Sequence, residues 1–240
     1  MTPAALAAAM EATWPAAAVM RLGPWTLRNG QGGGKRVSAA TADGPWQTSD
    51  VPHAEAAMLA MGQQPLFLIR EGDSTLDAVL AQAGYRVVDP VVAYAAPVGR
   101  LAPPPDLMAV FAHWPPLAIA RDLWQAAGIG PARLAVMDRV GRPKAALLAR
   151  VADRPAGVAF VALAYRDSAE CCAMLHALEV PAACRRQGSA QNLLRAAAAW
   201  AQLQGADTIA LVVTQANAPA RALYEKLGLR TVGSYHYREA

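Results

Sequence analysis

The chain has 240 residues, room for one large domain or for two of roughly 100–150 residues, and the pattern below favours two. Its residues are 55% hydrophobic but only 6% aromatic, as in an alanine-rich chain packed through small side chains, and no run of about 18 apolar residues occurs, which argues against a membrane-spanning helix. With 22 Lys and Arg against 18 Asp and Glu the net charge is +4, too diffuse to support nucleic-acid binding without a basic run interleaved with aromatics, though a groove for an anionic cofactor could use it.

Residues 2–13 read as a helix closed by Pro15. This apolar start lacks a basic leader and carries Glu11, so it is expected to be a folded helix of a cytoplasmic protein and not a secretory signal. Trp25 to Arg28 and Arg36 to Thr41 alternate like two half-buried strands around the glycine-rich loop Asn29 to Gly34. That loop does not fit a P-loop, because the spacing to Lys35 is wrong, Arg36 stands where Ser or Thr is needed, and strands are expected to follow; a hairpin connection is expected instead. A helix over His53 to Gly62, a buried strand over Leu66 to Arg70, a helix over Ser74 to Ala83 ended by Gly84, and a strand over Tyr85 to Ala96 complete a mixed α/β unit, residues 1–100. Leu101 to Pro105 (LAPPP) is stiff and without periodicity, and reads as a linker to a second unit, residues 106–240.

The second unit is expected to open with helices at Asp106 to Phe111 and Leu117 to Ala127. Strands follow at Arg133 to Val140, Lys144 to Val151, Gly157 to Tyr165 and Glu170 to Val180. Turn chemistry at Gly141 to Pro143, Asp153 to Pro155 and Arg166 to Ser168 spaces these strands like an antiparallel meander. A helix over Ser189 to Gln204 capped by Gly205, a strand over Thr208 to Val213, a helix over Ala218 to Leu227 stopped by Gly228, and a closing strand over Thr231 to Tyr237 complete the chain. Cys171, Cys172 and Cys184 cannot all pair, and the adjacent two lack zinc-ligand spacing, so buried free thiols and no metal are expected.

The segment Leu178 to Ala190 (LEVPAACRRQGSA) ends a strand in a small-residue, basic turn that starts a helix. Gly188 permits positive φ, Ser189 and Ala190 leave the helix start uncluttered, and several backbone N–H groups can point at one anion while Arg185 and Arg186 add charge. A helix N-terminus carries about half a positive charge and free donors, which suits a diphosphate.

The order of meander, basic glycine turn, helix, strand, Asn-led helix and final strand resembles the catalytic domain of the GNAT acyl-CoA N-acyltransferase superfamily over about residues 106–240. The signature turn of Arg or Gln, two variable residues, Gly, one variable residue, then Gly or Ala matches Arg185, Gly188 and Ala190 within RRQGSA. A second match follows at the right distance, Asn217 to Tyr224 (NAPARALY) with EKLG after it. The resemblance implies an α/β fold with a central, mostly antiparallel twisted sheet flanked by helices, and acetyl-CoA as co-substrate. It implies that the amides of Arg186, Gln187, Gly188, Ser189 and Ala190, with Arg185 alongside, take the pyrophosphate of coenzyme A. Leu178, Glu179 and Val180, on a strand splaying from its neighbour at Pro181, would pair their backbone with the pantetheine arm.

Asn217 is a favourable N-cap and, by the resemblance, also a cofactor ligand. Tyr224 shares a helical face with Ala220, Leu223 and Leu227, as a packed aromatic would; the resemblance places it near the thioester sulfur as proton donor to the departing thiolate. Glu179 and His176 are the candidate general bases. On an ideal strand they lie on opposite faces, so at most one should face the substrate.

The ending Gly233 to Arg238 resembles a tail of two-unit bacterial members of the superfamily, whose first unit looks like a degenerate copy. No counterpart of RRQGSA occurs before the linker, so no cofactor is expected there, and the first unit would pack on the second and shape the acceptor pocket. The expected activity is acetyl transfer from acetyl-CoA to a primary amine of a small molecule or peptide, by a monomer or homodimer without nucleic-acid or membrane partners. The alternative is a non-catalytic acyl-CoA-binding sensor or interaction module, which the same binding residues would serve and which release of CoA thiol distinguishes.

Overall fold

The computed structural model describes residues 1–165 and 171–240. The turn expected at Arg166 to Ser168 and the expected strand start at Glu170 lie outside the described residues. In chain order the elements are α1 (Pro3–Thr13), β1 (Ala18–Leu22), β2 (Trp25–Asn29), a 3-10 turn (Lys35–Val37), β3 (Thr41–Ala42), α2 (Val51–Ala60), β4 (Leu66–Arg70), α3 (Ser74–Gln82) and β5 (Arg86–Pro97). They continue as β6 (Val110–His113), α4 (Ala118–Ala126), α5 (Pro131–Arg139), β7 (Lys144–Val151), β8 (Arg154–Tyr165), β9 (Cys171–Glu179), α6 (Ser189–Leu203), β10 (Thr208–Thr214), α7 (Ala218–Lys226) and β11 (Arg230–Glu239).

Four segments depart from the sequence expectation, each for a local reason. Arg36 to Thr41 is not a strand: after Gly34 (φ +102°) the chain makes the 3-10 turn, the Ser38 hydroxyl donates to the Gly34 carbonyl at 3.2 Å, and only Thr41–Ala42 extends. The main hairpin partner of β2 is instead β1, an unexpected strand whose mostly exposed residues show no apolar alternation. Asp106 to Phe111 is not a helix; Val110–His113 pairs with β7 at the sheet edge. Arg133 to Val140 is helical because Pro131 presets the first turn of α5, and Val136, Met137 and Val140 bury one helical face. Of the three free cysteines, Cys171 and Cys172 are buried as expected, whereas Cys184 is partly exposed at the end of the short 182–184 turn.

One sheet of eight strands, in the order β4-β11-β5-β10-β9-β8-β7-β6, organises the molecule. Its neighbours run antiparallel, including the β7-β8-β9 meander, except β9 and β10, which are parallel. Strand β5, from before the proline-rich segment, lies between β10 and β11, so residues 1–100 and 106–240 share this sheet. One face packs against α6, where Leu193, Leu194, Ala197 and Ala201 meet Leu147, Val161, Leu163 and Ala173. The other carries α1 over Ala93, Met174, Tyr235 and Tyr237, and α4 and α5 over Ala146, Phe160 and Ala162. A satellite core of Trp25, Leu27, Met58, Phe67, Leu76 and Leu80 closes the N-terminal elements, each large side chain contributing about 1.5–3 kcal/mol by burial. Among the described residues no helix is long and apolar enough to cross a membrane, and no group of three or more His, Cys, Asp or Glu could hold a metal ion.

Residues 106–240 produced alone are therefore expected to lack a cooperative thermal transition by circular dichroism, since β10 and β11 lose the strand between them. A soluble, cooperatively melting 106–240 fragment would contradict the shared sheet.

Candidate active site

The site begins where two parallel strands part. β9 and β10 pair from Cys172 opposite Thr208 to Leu175 opposite Leu211. Beyond that, β10 stays with β5 as far as Thr214 opposite Val91, and β9 stays with β8 as far as Glu179 opposite Val158. The gap therefore opens after Leu175, well before the Pro181 expected from the sequence, leaving the facing edges of both strands available to an extended ligand.

A bulge shapes this edge. Phe160 faces His176 and Val158 faces Glu179, so two steps along β8 answer three along β9. Ala177 takes the extra step at φ +49°, a left-handed conformation that costs a residue with a Cβ about 1–2 kcal/mol. Trp124, in α4, donates its indole N–H to the Ala177 carbonyl at 2.8 Å and satisfies the group that the bulge removes from the ladder. The extra residue also shifts parity: His176 and Glu179 come to the same face, while Leu175 and Leu178 pack together on the other. The opposite-face expectation for His176 and Glu179 holds only for a regular strand.

The opening leads into a cleft of about 380 Å³ to which β9, Leu211 to Thr214, Asn217 and Tyr224 contribute, together with Trp14, the Gly33 to Arg36 loop and Arg133. Asn217 caps α7, its Oδ1 accepting from the Ala220 amide at 3.2 Å. Tyr224 is 6% exposed, packs edge-on to Tyr94 at 5.7 Å, and has its phenol pushed up to about 12 by burial, the Glu179 carboxylate and Tyr94. Glu179 is half-buried; burial raises its carboxyl above the usual range, against the pull of Arg185 and Arg133.

His176 is 6% exposed, and its ring is committed on both sides. The Thr13 hydroxyl donates to the Ala9 carbonyl at 2.6 Å, so toward Nε2 of His176, 2.9 Å away, it accepts; Nδ1 in turn accepts from Arg36 Nη1 at 3.1 Å. Burial, then the Arg36 charge, holds the imidazole pKa well below 6.5, and its lone pair is occupied.

The strand ends in the turn singled out from the sequence. Leu178 and Val180 are partly buried against the α6 face, and Arg185 Nε donates to the Val180 carbonyl at 3.4 Å. Arg186 (φ +64°) and Gly188 (φ +84°) are both left-handed and exposed, and Gly188 leads into α6 with no side chain capping the helix. A Cβ at Gly188 would meet nothing within 4 Å, so its demand is conformational and not steric. Gln187 folds its side chain back to the Ala183 carbonyl at 3.1 Å, Ala190 is partly buried, and the Ser189 hydroxyl is buried without a partner. An uncapped helix start beside two exposed arginines fits a diphosphate.

Arg36, Arg133 and Trp124 were not among the expected site residues. Lys35 and Arg36 directly after three glycines were the available signal for Arg36; Arg133 and Trp124 carry none, since their place depends on how helices dock. The glycine loop itself serves packing, because a Cβ at Gly33 would lie 2.6 Å from Val136 Cγ2.

Residues 117–229 match the model of the acetyltransferase (GNAT) family. A GCN5-related N-acetyltransferase from Kribbella flavida aligns with TM-score 0.73 at 20% identity, over 99% of this chain and 95% of that one. A conserved protein of unknown function from Staphylococcus epidermidis ATCC 12228 aligns with TM-score 0.67 at 12% identity, over 94% of each chain. A tandem GNAT protein from the clavulanic acid biosynthesis pathway aligns with TM-score 0.62 at 16% identity, over 90% of this chain and 77% of that one. At these identities the likeness is one of fold. No curated protein sequence matches.

The imidazole yields a stability prediction. The unfolded chain protonates His176 near pH 6.5 and the folded chain well below it, so between those values the unfolded state binds more protons and stability falls as pH falls. This group is expected to lower the unfolding free energy by up to about 1.4 kcal/mol per pH unit below about 6.5, and His176→Gln should remove that component. Equal pH slopes for the two proteins in urea titrations would contradict a buried neutral imidazole.

Proposed function

Because residues 117–229 belong to the GNAT acetyltransferase family, which makes the chain an acyltransferase, we propose that it moves the acetyl group of acetyl-CoA onto a primary amine of a small molecule or peptide by direct attack. The observation that carries this proposal is the parting of β9 from β10, with Glu179 and Tyr224 on the cleft it opens and with β9 running on into the uncapped, basic start of α6. Acetyl-CoA supplies the activated acyl group: the amine nitrogen bonds to the thioester carbonyl carbon as the carbon–sulfur bond breaks.

The protein's part is binding, orientation and proton management. The amides at the start of α6, with Arg185 and Arg186, would bind the pyrophosphate, and the unpartnered Ser189 hydroxyl adds a donor. The free edge at Leu178, Glu179 and Val180 would hold the pantetheine arm by main-chain hydrogen bonds, with Asn217 opposite. Glu179, made more basic by burial, accepts the proton that the amine loses. His176 is the weaker candidate base, since Arg36 engages its lone pair. Tyr224 keeps its proton at neutral pH and presents it to the sulfur; an ordinary thiol titrates near 8.5, below this phenol, so the hydrogen bond first stabilises the thiolate, and the proton released by the amine completes the free thiol. Trp14 and the Gly33 to Arg36 loop would wall the acceptor end, the role proposed for the N-terminal segment.

Purified protein with acetyl-CoA and a panel of amines is expected to release CoA thiol. Tyr224→Phe should lower kcat by ~10²-fold with acetyl-CoA affinity within a few-fold by calorimetry, and Glu179→Gln should lower kcat/KM by ~10²–10⁴-fold. Full activity in either variant would remove that residue from the mechanism. Arg185→Glu combined with Gly188→Val is expected to abolish acetyl-CoA binding, and unchanged affinity would sink the assignment of the turn.

A further inference from the structure

We propose that Arg36 recognises a carboxylate on the acceptor, so that the substrate is a small amine carrying a carboxylate in the same molecule; this rests on acyl transfer taking place in the same cleft.

Among the described residues, Arg36 is a charge without a counterion. Arg36 lies in the 3-10 turn after Gly33 and Gly34 and borders the cleft. Its Nη1 meets Nδ1 of His176 at 3.1 Å, and the hydroxyls of Tyr235 and Tyr237 stand against the guanidinium. These partners are an imidazole and two phenols, and none is a carboxylate. Among the described residues no carboxylate makes an ion pair with Arg36, and its Nε is buried without a hydrogen-bond partner.

Of the carboxylates that line the two cavities beside Arg36, all but Glu179 are committed elsewhere. Asp89 pairs with Lys35 at 2.9 Å, Glu11 with Arg28, and Asp73 with Arg70 at 3.1 Å, while Glu71 accepts from the Ser234 amide at 2.9 Å. Removing a guanidinium from water without a compensating anion is unfavourable, and an incoming carboxylate repairs this best, because its two oxygens match the planar donor fork.

The position suits an acceptor. A second cavity of about 390 Å³, between α1 and the β4 and β11 edge, shares Trp14, Arg36 and Tyr235 with the cleft, so the guanidinium stands where the two meet. The bulge puts His176 and Glu179 on one face, about two strand positions or ~7 Å apart. A guanidinium resting on His176 and a base at Glu179 are thus separated by roughly the reach of a short amino acid, amine toward Glu179 and carboxylate on Arg36. The Thr13 to His176 to Arg36 chain of hydrogen bonds fixes the guanidinium's orientation, which gives α1 a specific part in substrate choice.

The test compares matched acceptors by CoA release. Glycine, alanine, leucine, phenylalanine, β-alanine and 4-aminobutyrate are each paired with their primary amide, in the wild type, Arg36→Met and Arg36→Lys, alongside simple amines without a carboxylate. For the best pair, wild-type kcat/KM is expected to favour the acid at least tenfold. Arg36→Met should bring that ratio to about one, and Arg36→Lys should restore part of it. General damage from the substitution acts on both members of a pair, so the ratio isolates the carboxylate contact. The proposal is overturned if the wild type turns over amides or simple amines as well as it does the acids, or if the preference survives Arg36→Met; acyl transfer stands in both cases. Silence of every amine, with acetyl-CoA bound, overturns acyl transfer and this proposal with it.

Discussion

Everything at the site depends on β9 leaving β10 after Leu175. A parallel pair that simply continued would present a closed ladder; here each strand keeps its outer partner and gives up the inner one. The left-handed step at Ala177 makes this possible, and the Trp124 indole satisfies the carbonyl it frees. Gly157 adds the space, since a Cβ there would approach the Glu179 carbonyl at 3.1 Å and Val180 at 3.2 Å. One local deformation thus opens the edge, turns Glu179 toward the cleft, and delivers the chain into the basic turn before α6.

The electrostatics follow from who is buried beside whom. Burial raises Glu179 and Tyr224 together, and the Glu179 carboxylate raises Tyr224 further, so the cleft holds a carboxyl that binds a proton more readily than an exposed one and a phenol that keeps its own. Across the bulge the same burial acts oppositely on His176, which stays neutral and serves as an acceptor for Arg36. The N-terminal residues supply much of this environment: Thr13 and Trp14 from the end of α1, Arg36 from the loop, and β5 within the sheet. The N-terminal elements are therefore built into one wall of the cleft.

Much of the architecture was legible in the sequence. The long helices and strands from Lys144 onward announce themselves by periodicity and by glycine stops at Gly205 and Gly228, and the turn at Gly188 by its composition. What was not legible depended on tertiary context. Ala177 gives no sign of positive φ, so strand parity misplaced His176 relative to Glu179. Pro131 is a helix-start signal that the β-branched and apolar residues after it obscured. The insertion of β5 between β10 and β11 is a matter of topology that no local pattern encodes. Arg36 sits in a segment that alternates like a strand, and only packing shows its charge to be unanswered.

The parted strands and the α6 turn are the central claim, and backbone amide NMR during an acetyl-CoA titration addresses both at once. Saturable shifts are expected at Leu178 to Val180 and at Ser189 to Gln191, with the β1 and β2 amides unmoved. Saturable binding that leaves those two segments unperturbed would contradict the site.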